Sequence, residues 1–319
     1  MTGLSDSGSE FVASARQAIR TAVGADYLRG LGWWDLLDDL DDAEARGAVF
    51  ALFEAQGREG SDAPALNALL AQPYAAMQGS RADMFALAID LPSSNLPEKS
   101  VVLGDTPAAR ILVDRPGDGA FVVSIDDVRF RTLDARGGHL VRSVEFEPAA
   151  LSLFLGERQA SAARARSLFL GRLAVAHELL GAALQTLELA VEHASSREQF
   201  GQPIGSFQAV RHLLSWAAVE CFALRAICTE AVRLDVAAPP LFGSMVKALA
   251  GRNARRACEH TLQVMGAIGF TAEHSHHRFH QRVLALDSLL GGSDELTCEL
   301  GVAARHGFHT SDVSRSFLS

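Results

Sequence analysis

The chain has 319 residues, enough for one large domain or two to three small ones around a sizeable core. A hydrophobic content of 48% excludes a disordered chain, and a formal net charge of −9 with no basic stripe argues against nucleic-acid binding. The N-terminus lacks the features of a signal peptide, the four cysteines form no CxxC pair, and the apolar stretch at residues 168–191 is too interrupted to span a membrane. We therefore expect a reduced, soluble, cytoplasmic protein.

The first part of the chain, residues 1–84, is predicted to be a helical domain. Apolar side chains recur every four residues at Phe11, Ala15, Ile19 and Val23, which is typical of an amphipathic helix. Residues 30–37 resemble a hydrophobic turn between helices. The acidic run at residues 38–42 suits the start of a further helix, where carboxylates oppose the positive end of the helix dipole.

The middle part, residues 85–154, is predicted to be a small, reduced β domain. Short runs rich in β-branched and aromatic residues are separated by Pro, Gly and Asp, as turns require. The runs that we expect to be strands cover residues 100–103, 109–113, 120–125 and 128–131.

The last part, residues 155–319, is predicted to be a four-helix bundle. The expected helices cover residues 163–194, 208–236, 243–265 and 287 to the C-terminus. The fold class is therefore mostly α with a small β domain between two helical regions.

The loop at residues 196–208 joins two of these helices and has the chemistry of a cofactor site. Arg197 offers a planar fork for phosphate oxygens, and Phe200 and Phe207 can pack on flat rings. Gln199 can orient a polar edge, and Ile204 lies in the tight Gly/Pro turn. This loop suits a large ligand that carries both a diphosphate and flat rings.

The loop resembles the flavin-diphosphate segment of the acyl-CoA dehydrogenases, R-x-x-F-G-x-x-(I/L)-x-x-x-Q. A second segment, at residues 263–274, is similar to the Q-x-x-G-G-x-G-(F/Y) turn of the same family. There Gln263 and Gly266 match the motif, and Ala267 replaces its second glycine. The two segments have the order and spacing of that family, so the chain is identified as a member. The resemblance implies FAD as the cofactor, with these residues at its diphosphate and adenosine.

The resemblance also implies where a catalytic base would stand. The family places a glutamate in a turn near the C-terminus or on the first bundle helix, and glycine, Gly291 or Gly171, occupies each matching position. Glycine cannot abstract a proton, so we expect no catalytic residue on this chain. Ser293 and Glu295 match a flavin-contacting triplet of the family. The histidines between residues 274 and 280 are interpreted as a polar loop, and no metal site is expected.

The family's substrate and isoalloxazine segments are not found in the β domain. We therefore expect a heteromeric acyl-CoA dehydrogenase, an α2β2 heterotetramer in which a homologous catalytic subunit supplies the base, the acyl-CoA groove and the isoalloxazine site. This chain would complete the binding site of the FAD that the two subunits share. The family implies an electron-transferring flavoprotein as acceptor, and actinobacterial relatives suggest a steroid side-chain CoA thioester as a candidate substrate.

Two alternatives stay open from the sequence. In one, the chain is a self-sufficient flavin enzyme with a base relocated to Asp294, Glu295 or Glu178. In the other, it is a scaffold that binds no flavin and stabilises a partner subunit. Glu178 lies two helical turns beyond Gly171, about 10 Å along the axis, which makes it a poor substitute.

Overall fold

A computed structural model of the chain describes residues 6–21, 26–61, 65–90, 100–104, 108–133, 141–233 and 241–305. The N-terminal part is helical, as predicted. Its helices are α1 (Asp6–Thr21), α2 (Asp26–Gly30), α3 (Trp33–Asp38), α4 (Ala43–Glu59) and α5 (Ala65–Met77). Asp42 caps α4 by accepting the backbone N–H groups of Glu44 and Ala45 at 2.9 Å, which confirms the acidic helix start.

The expectation of a simple turn at residues 30–37 is wrong, because α3 forms there. Trp33 is fully buried and packs edge-on against Phe53, with ring centroids 5.9 Å apart. Leu37 is buried one turn later. Burial of both side chains against α4 stabilises a short helix that would be marginal alone.

The middle part forms one seven-stranded sheet, larger than the four runs indicated. Its strands are β1 (Phe85–Asp90), β2 (Ser100–Leu103), β3 (Arg110–Arg115), β4 (Gly119–Ser124), β5 (Arg129–Leu133), β6 (Val141–Glu145) and β7 (Ser152–Gly156). The spatial order is β5-β6-β2-β1-β3-β4-β7, and only the pairing of β1 with β3 is parallel. The four predicted strands are confirmed. β1, β6 and β7 are strands that the sequence analysis did not predict.

The last part contains three long helices and two shorter ones among the described residues. They are α6 (Glu157–Ser196), α7 (Gln208–Arg233), α8 (Phe242–Met265), α9 (His276–Ser288) and α10 (Ser293–Arg305). The long helices confirm the prediction, although residues 234–236 lie outside the described part. The predicted final helix, from residue 287 to the C-terminus, is found only as α10: positive φ angles at Leu290 (59°) and Gly291 (106°) separate it from α9, and residues 306–319 lie outside the described part.

The helices that precede the sheet in the sequence and those that follow it share one core. α4 and α6 cross so closely that a Cβ on Gly57 would lie 2.1 Å from the Glu178 carbonyl oxygen. A Cβ on Gly181 would lie equally near the Glu54 carbonyl oxygen. In the described part of the chain, α6 alone is long and apolar enough to cross a membrane, but 78% of its most apolar window is buried, as in a core helix.

A polar network ties the sheet to the helices. The Tyr74 hydroxyl on α5 donates to Asp114 on β3 at 3.0 Å, and Arg164 on α6 donates to the same carboxylate at 2.8 Å. Arg164 also pairs with Glu157 at 3.3 Å. Three elements from different parts of the chain therefore meet at one carboxylate.

Candidate functional site

The predicted cofactor loop is a small hairpin at the end of α6. Glu198–Gln199 (β8) pairs with Gln202–Pro203 (β9), and Phe200 (φ 55°) and Gly201 (φ 79°) form its left-handed turn. Phe200 is 92% exposed, and its ring meets that of Phe207 edge-on at 6.1 Å. The hairpin thus projects an aromatic side chain into solvent, where it costs free energy unless another surface covers it.

The structure brings the second motif against this hairpin. Ile204 packs on a small hydrophobic cluster that includes Val264 and Met265, at the end of α8. Gln263 is exposed on the same helix end. Gly266 follows with φ 63°, a conformation that favours glycine, and Ala267 is exposed beside it. The two sequence motifs therefore form one continuous surface.

The residues of this surface fit an anionic, ring-bearing cofactor. Arg197 is exposed, and no carboxylate in the described part of the chain is recorded within 4.0 Å of it, so its guanidinium fork is available to phosphate oxygens. The side-chain amide of Gln199 donates to the Glu198 carbonyl oxygen at 2.7 Å. Neither of the two cavities described below is lined by the hairpin. A ligand held here would need a second surface to enclose it.

Neighbouring side chains fill the space beside both positions that were predicted for a catalytic base. Gly171 lies on α6, and a Cβ there would be 2.5 Å from Leu70 Cδ2 and 2.7 Å from Leu290 Cδ1. Gly291 has a positive φ angle, and a Cβ there would be 2.8 Å from Leu296 Cδ2. Neither position has room for a glutamate side chain in this arrangement.

A buried lysine holds the turn that contains Gly291. Lys247 on α8 donates to the carbonyl oxygens of Asp287 at 2.9 Å and of Gly291 at 3.1 Å. Burial lowers the pKa of Lys247 to about 8, against the opposing attraction of the Asp287 carboxylate. Ser293 is buried and donates to Asp287 at 3.0 Å, so its hydroxyl is used inside the fold. Sequence reasoning missed this network, whose signal is a lysine within the apolar run of α8.

A cavity of about 260 Å³ lies beside this turn, with Arg172, Glu295 and Glu299 among its walls. Arg172 donates to the Leu290 carbonyl oxygen at 3.0 Å and to Ser244 at 2.6 Å, and burial lowers its pKa. Glu295 is exposed and accepts the Gly292 N–H at 3.4 Å. Ser293 and Glu295 therefore lie with the two glycines and not with the hairpin.

The two groups of predicted residues are far apart on the same chain. Gly171 precedes Arg197 by 26 residues along α6, which is roughly 39 Å at the rise of an α-helix. The hairpin and the surroundings of Gly171 are therefore two separate places along α6.

The carboxylates considered as relocated bases are either paired or exposed. Glu178 is buried on α6 and forms an ion pair with Arg282 of α9. The Asp294 side chain is 91% exposed and lies 3.4 Å from Arg255. A general base for an α-proton needs a carboxylate that is both desolvated and unpaired, so these positions are poorly suited.

The interpretation of the histidine run as a loop is wrong, because α9 begins at His276. His276 is fully buried and its Nε2 lies 3.0 Å from the Thr261 hydroxyl, which fixes the start of the helix in the core. His277 bonds to the His274 carbonyl oxygen at 2.7 Å. Among the described residues, no group of three or more His, Cys, Asp or Glu side chains could hold a metal ion.

The helices, the seven-stranded sheet and the helical bundle together have the fold of the acyl-CoA dehydrogenases. A variant of the Tcur3481–Tcur3483 steroid ACAD superposes with a TM-score of 0.73 at 23% identity, over 95% of this chain and 98% of that chain. The ChsE4–ChsE5 complex from Mycobacterium tuberculosis gives 0.73 at 19% identity, over 95% and 98%.

The sequence leads to the same family. Residues 161–305 match the family described as acyl-CoA dehydrogenase, C-terminal domain. Acyl-CoA dehydrogenase FadE34 of Mycobacterium tuberculosis is 32% identical over 231 residues, which is 67% of this chain and 31% of that protein. Acyl-CoA dehydrogenase IpdE2 of the same organism is 35% identical over 38% of this chain and 37% of its own length. The chain belongs to the acyl-CoA dehydrogenase family, and it spans about a third of the length of these relatives.

Proposed function

We propose that this chain is the flavin-completing subunit of a heteromeric acyl-CoA dehydrogenase, which introduces an α,β double bond into an acyl-CoA thioester. The catalytic base, the acyl-CoA groove and the isoalloxazine site belong to a homologous partner subunit. The FAD, when bound, accepts the hydride that leaves the β-carbon. The assembly is cytoplasmic.

The observation that carries this proposal is the occupied base position. Leu70 and Leu290 fill the space into which a side chain at residue 171 would extend, and the backbone at Gly291 is left-handed. The nearby carboxylates are exposed or paired, so the described part of the chain offers no desolvated, unpaired base near this cavity. The missing base therefore comes from elsewhere.

The geometry of the hairpin supports a shared FAD. Arg197 and Phe200 face solvent at the opposite end of α6 from the 260 Å³ cavity, so they would serve a flavin whose ring lies on another subunit. Gln263, Gly266 and Ala267 would approach the adenosine of the same cofactor. Glu295 would instead face the 260 Å³ cavity of this chain, and Ser293 lies buried next to it, bonded to Asp287.

The proposed substrate class and acceptor are inferred from relatives. The Tcur3481–Tcur3483 relative is a steroid ACAD, and ChsE4–ChsE5 is a complex of two differently named chains. A steroid side-chain CoA thioester bound mainly by the partner is therefore our proposed substrate. An electron-transferring flavoprotein is the proposed acceptor, as in the family generally.

Flavin stoichiometry tests the shared site. We expect the purified chain to be free of flavin alone and to carry about one FAD per pair of subunits when co-expressed with its catalytic partner. One FAD per chain in the isolated protein would favour the self-sufficient enzyme and refute the shared site.

Substitution of Arg197 separates the proposal from a flavin-free scaffold. In the complex, Arg197→Ala should release FAD, because a charge-assisted bond to the diphosphate is lost, by about tenfold or more in affinity. Arg252→Ala, at another exposed arginine of the bundle, is the matched control and should retain FAD. Equal retention by both variants would support the scaffold.

A further inference from the structure

A second cavity, of about 350 Å³, lies where α1, α4, α6 and α9 meet. Its walls carry four arginines, which are Arg20, Arg58, Arg278 and Arg282, and a single carboxylate, that of Glu59. Three further carboxylates, Glu54, Glu178 and Glu188, pair with Arg58 and Arg282 but do not line this arginine cleft. Such a concentration of guanidinium groups attracts anions.

We infer that the arginine cleft binds an organic phosphate, such as a nucleoside monophosphate, at a site separate from the flavin hairpin. The inference is independent of the proposed function. It depends on how the guanidinium groups are held, on what else lines the cleft, and on its size.

Carboxylates hold the arginines in place, mostly from outside the cleft. Arg58 lies 3.2 Å from Glu54 and 2.5 Å from Glu188, and Arg282 is paired with Glu178, yet none of these carboxylates lines the cavity. Arg282 is buried, with 2% of its side chain exposed, and it also donates to the Ser61 carbonyl oxygen at 2.6 Å. Buried carboxylates that support arginines in this way fix the orientation of the donors before a ligand arrives.

The arginines nearer to solvent differ in their pairing. Arg20 forms a bidentate pair with Glu59, with N–O distances of 2.7 and 2.8 Å. Arg278 on α9 is exposed, and the described part of the chain places no carboxylate within 4.0 Å of it. Its fork is therefore available to a ligand, and we assign it the main contact with phosphate oxygens.

The remaining lining favours a phosphate ester over a simple inorganic anion. Gln185, Gln281 and Ser275 add neutral hydrogen-bonding groups. The ring of Phe279 lines the cavity beside Gly60, where it offers an apolar surface. A volume of about 350 Å³ is within the range of small-molecule sites and exceeds the needs of one phosphate ion. An anionic group joined to a flat organic part uses all three features.

Isothermal titration of the full-length chain with AMP, with adenosine as the uncharged comparison, tests the inference. We expect AMP to bind at low salt and adenosine to bind at least about tenfold more weakly, because a charge-assisted hydrogen bond is lost. Equal affinity for AMP and adenosine, or no binding of AMP, would overturn it.

Variants locate the site. Arg278→Ala should weaken AMP binding by about tenfold, and Gln281→Glu, which adds a negative charge at the cleft, should weaken it as well. Both positions are exposed on α9, so the fold should persist, and thermal melting checks this. Arg252→Ala is the matched control and should bind normally. If Arg197→Ala abolishes AMP binding and the α9 variants do not, AMP occupies the flavin hairpin and the inference is wrong.

Discussion

The occupied base position can be tested by adding one methyl group to each of three helical glycines. Gly171→Ala places a Cβ within 2.7 Å of two leucine methyl groups, which are flexible ends of side chains. Gly181→Ala places it 2.1 Å from a backbone carbonyl oxygen, which cannot easily move. Gly301→Ala, on α10, meets nothing within 4 Å.

The expected magnitudes follow from two opposing effects. Replacing glycine by alanine inside a helix stabilises it by about 1 kcal/mol, and this gain is shared by all three positions. Overpacking costs about 1–3 kcal/mol where side chains can adjust, and more where backbone must shift. We therefore expect Gly301→Ala to stabilise the fold by about 1 kcal/mol, Gly171→Ala to be neutral or destabilising by up to about 2 kcal/mol, and Gly181→Ala to lose the most.

Urea denaturation gives the free energy of unfolding of each of the three variants, and these values test the expected order of stability. Adding Leu290→Ala to Gly171→Ala should remove part of the overpacking, so the pair should lose less than the sum of the single changes. If Gly171→Ala stabilises as much as Gly301→Ala, the space beside residue 171 is open. A glutamate could then stand there, and the argument for a missing base would fail.

The remaining predictions concern buried polar groups. Tyr74→Phe should destabilise the fold by about 1–2 kcal/mol in urea, because Asp114 loses a buried donor; an unchanged midpoint would contradict the network. The pKa of Lys247 is lowered to about 8 from 10.5, so the unfolded chain binds the extra proton between these values and stability rises with pH there. Lys247→Met should remove the part of this rise in stability that comes from Lys247. An identical pH dependence of stability in both proteins would exclude Lys247 as its source. Burial, and then neighbouring histidines, lower the pKa of His276 to about 4, so stability should fall as pH drops from about 6.5 to about 4. His276→Leu should reduce this acid-side loss, and a loss as steep as in the parent protein would exclude His276 as its source.

The long helices and the cofactor hairpin could be predicted from sequence because their signals are local. The arginine, glycine and aromatic residues between α6 and α7 indicate a turn that presents a phosphate fork, and the hairpin is found there with Phe200 exposed. The roles of Arg197 and Gln263 in binding FAD stay predictions. The division at residues 84 and 154 also stays a prediction, although β1 and β7 lie near those limits.

Features that depend on contacts between distant segments could not be predicted. The glycines at residues 171 and 291 are evident from the sequence. The leucines that fill the space beside Gly171 come from α5 and from the turn after α9, and the sequence does not show that they meet there. α9 was missed because its polar histidines hide a helix that is fixed by burial of His276. The arginine cleft combines four helices, and no local pattern announces it.

The close crossing of α4 and α6 has a consequence for how the chain reaches its native state. All seven strands of the sheet lie between Gly57 and Gly181 in the sequence. The crossing therefore forms only after a very long loop has closed. A sheet that folds first shortens the effective length of that loop. We therefore expect slow folding, with sheet formation preceding the docking of α4 on α6. A proteolytic cut between the strands should leave two fragments that remain associated, because the joint core of the helices does not depend on the continuity of the chain there.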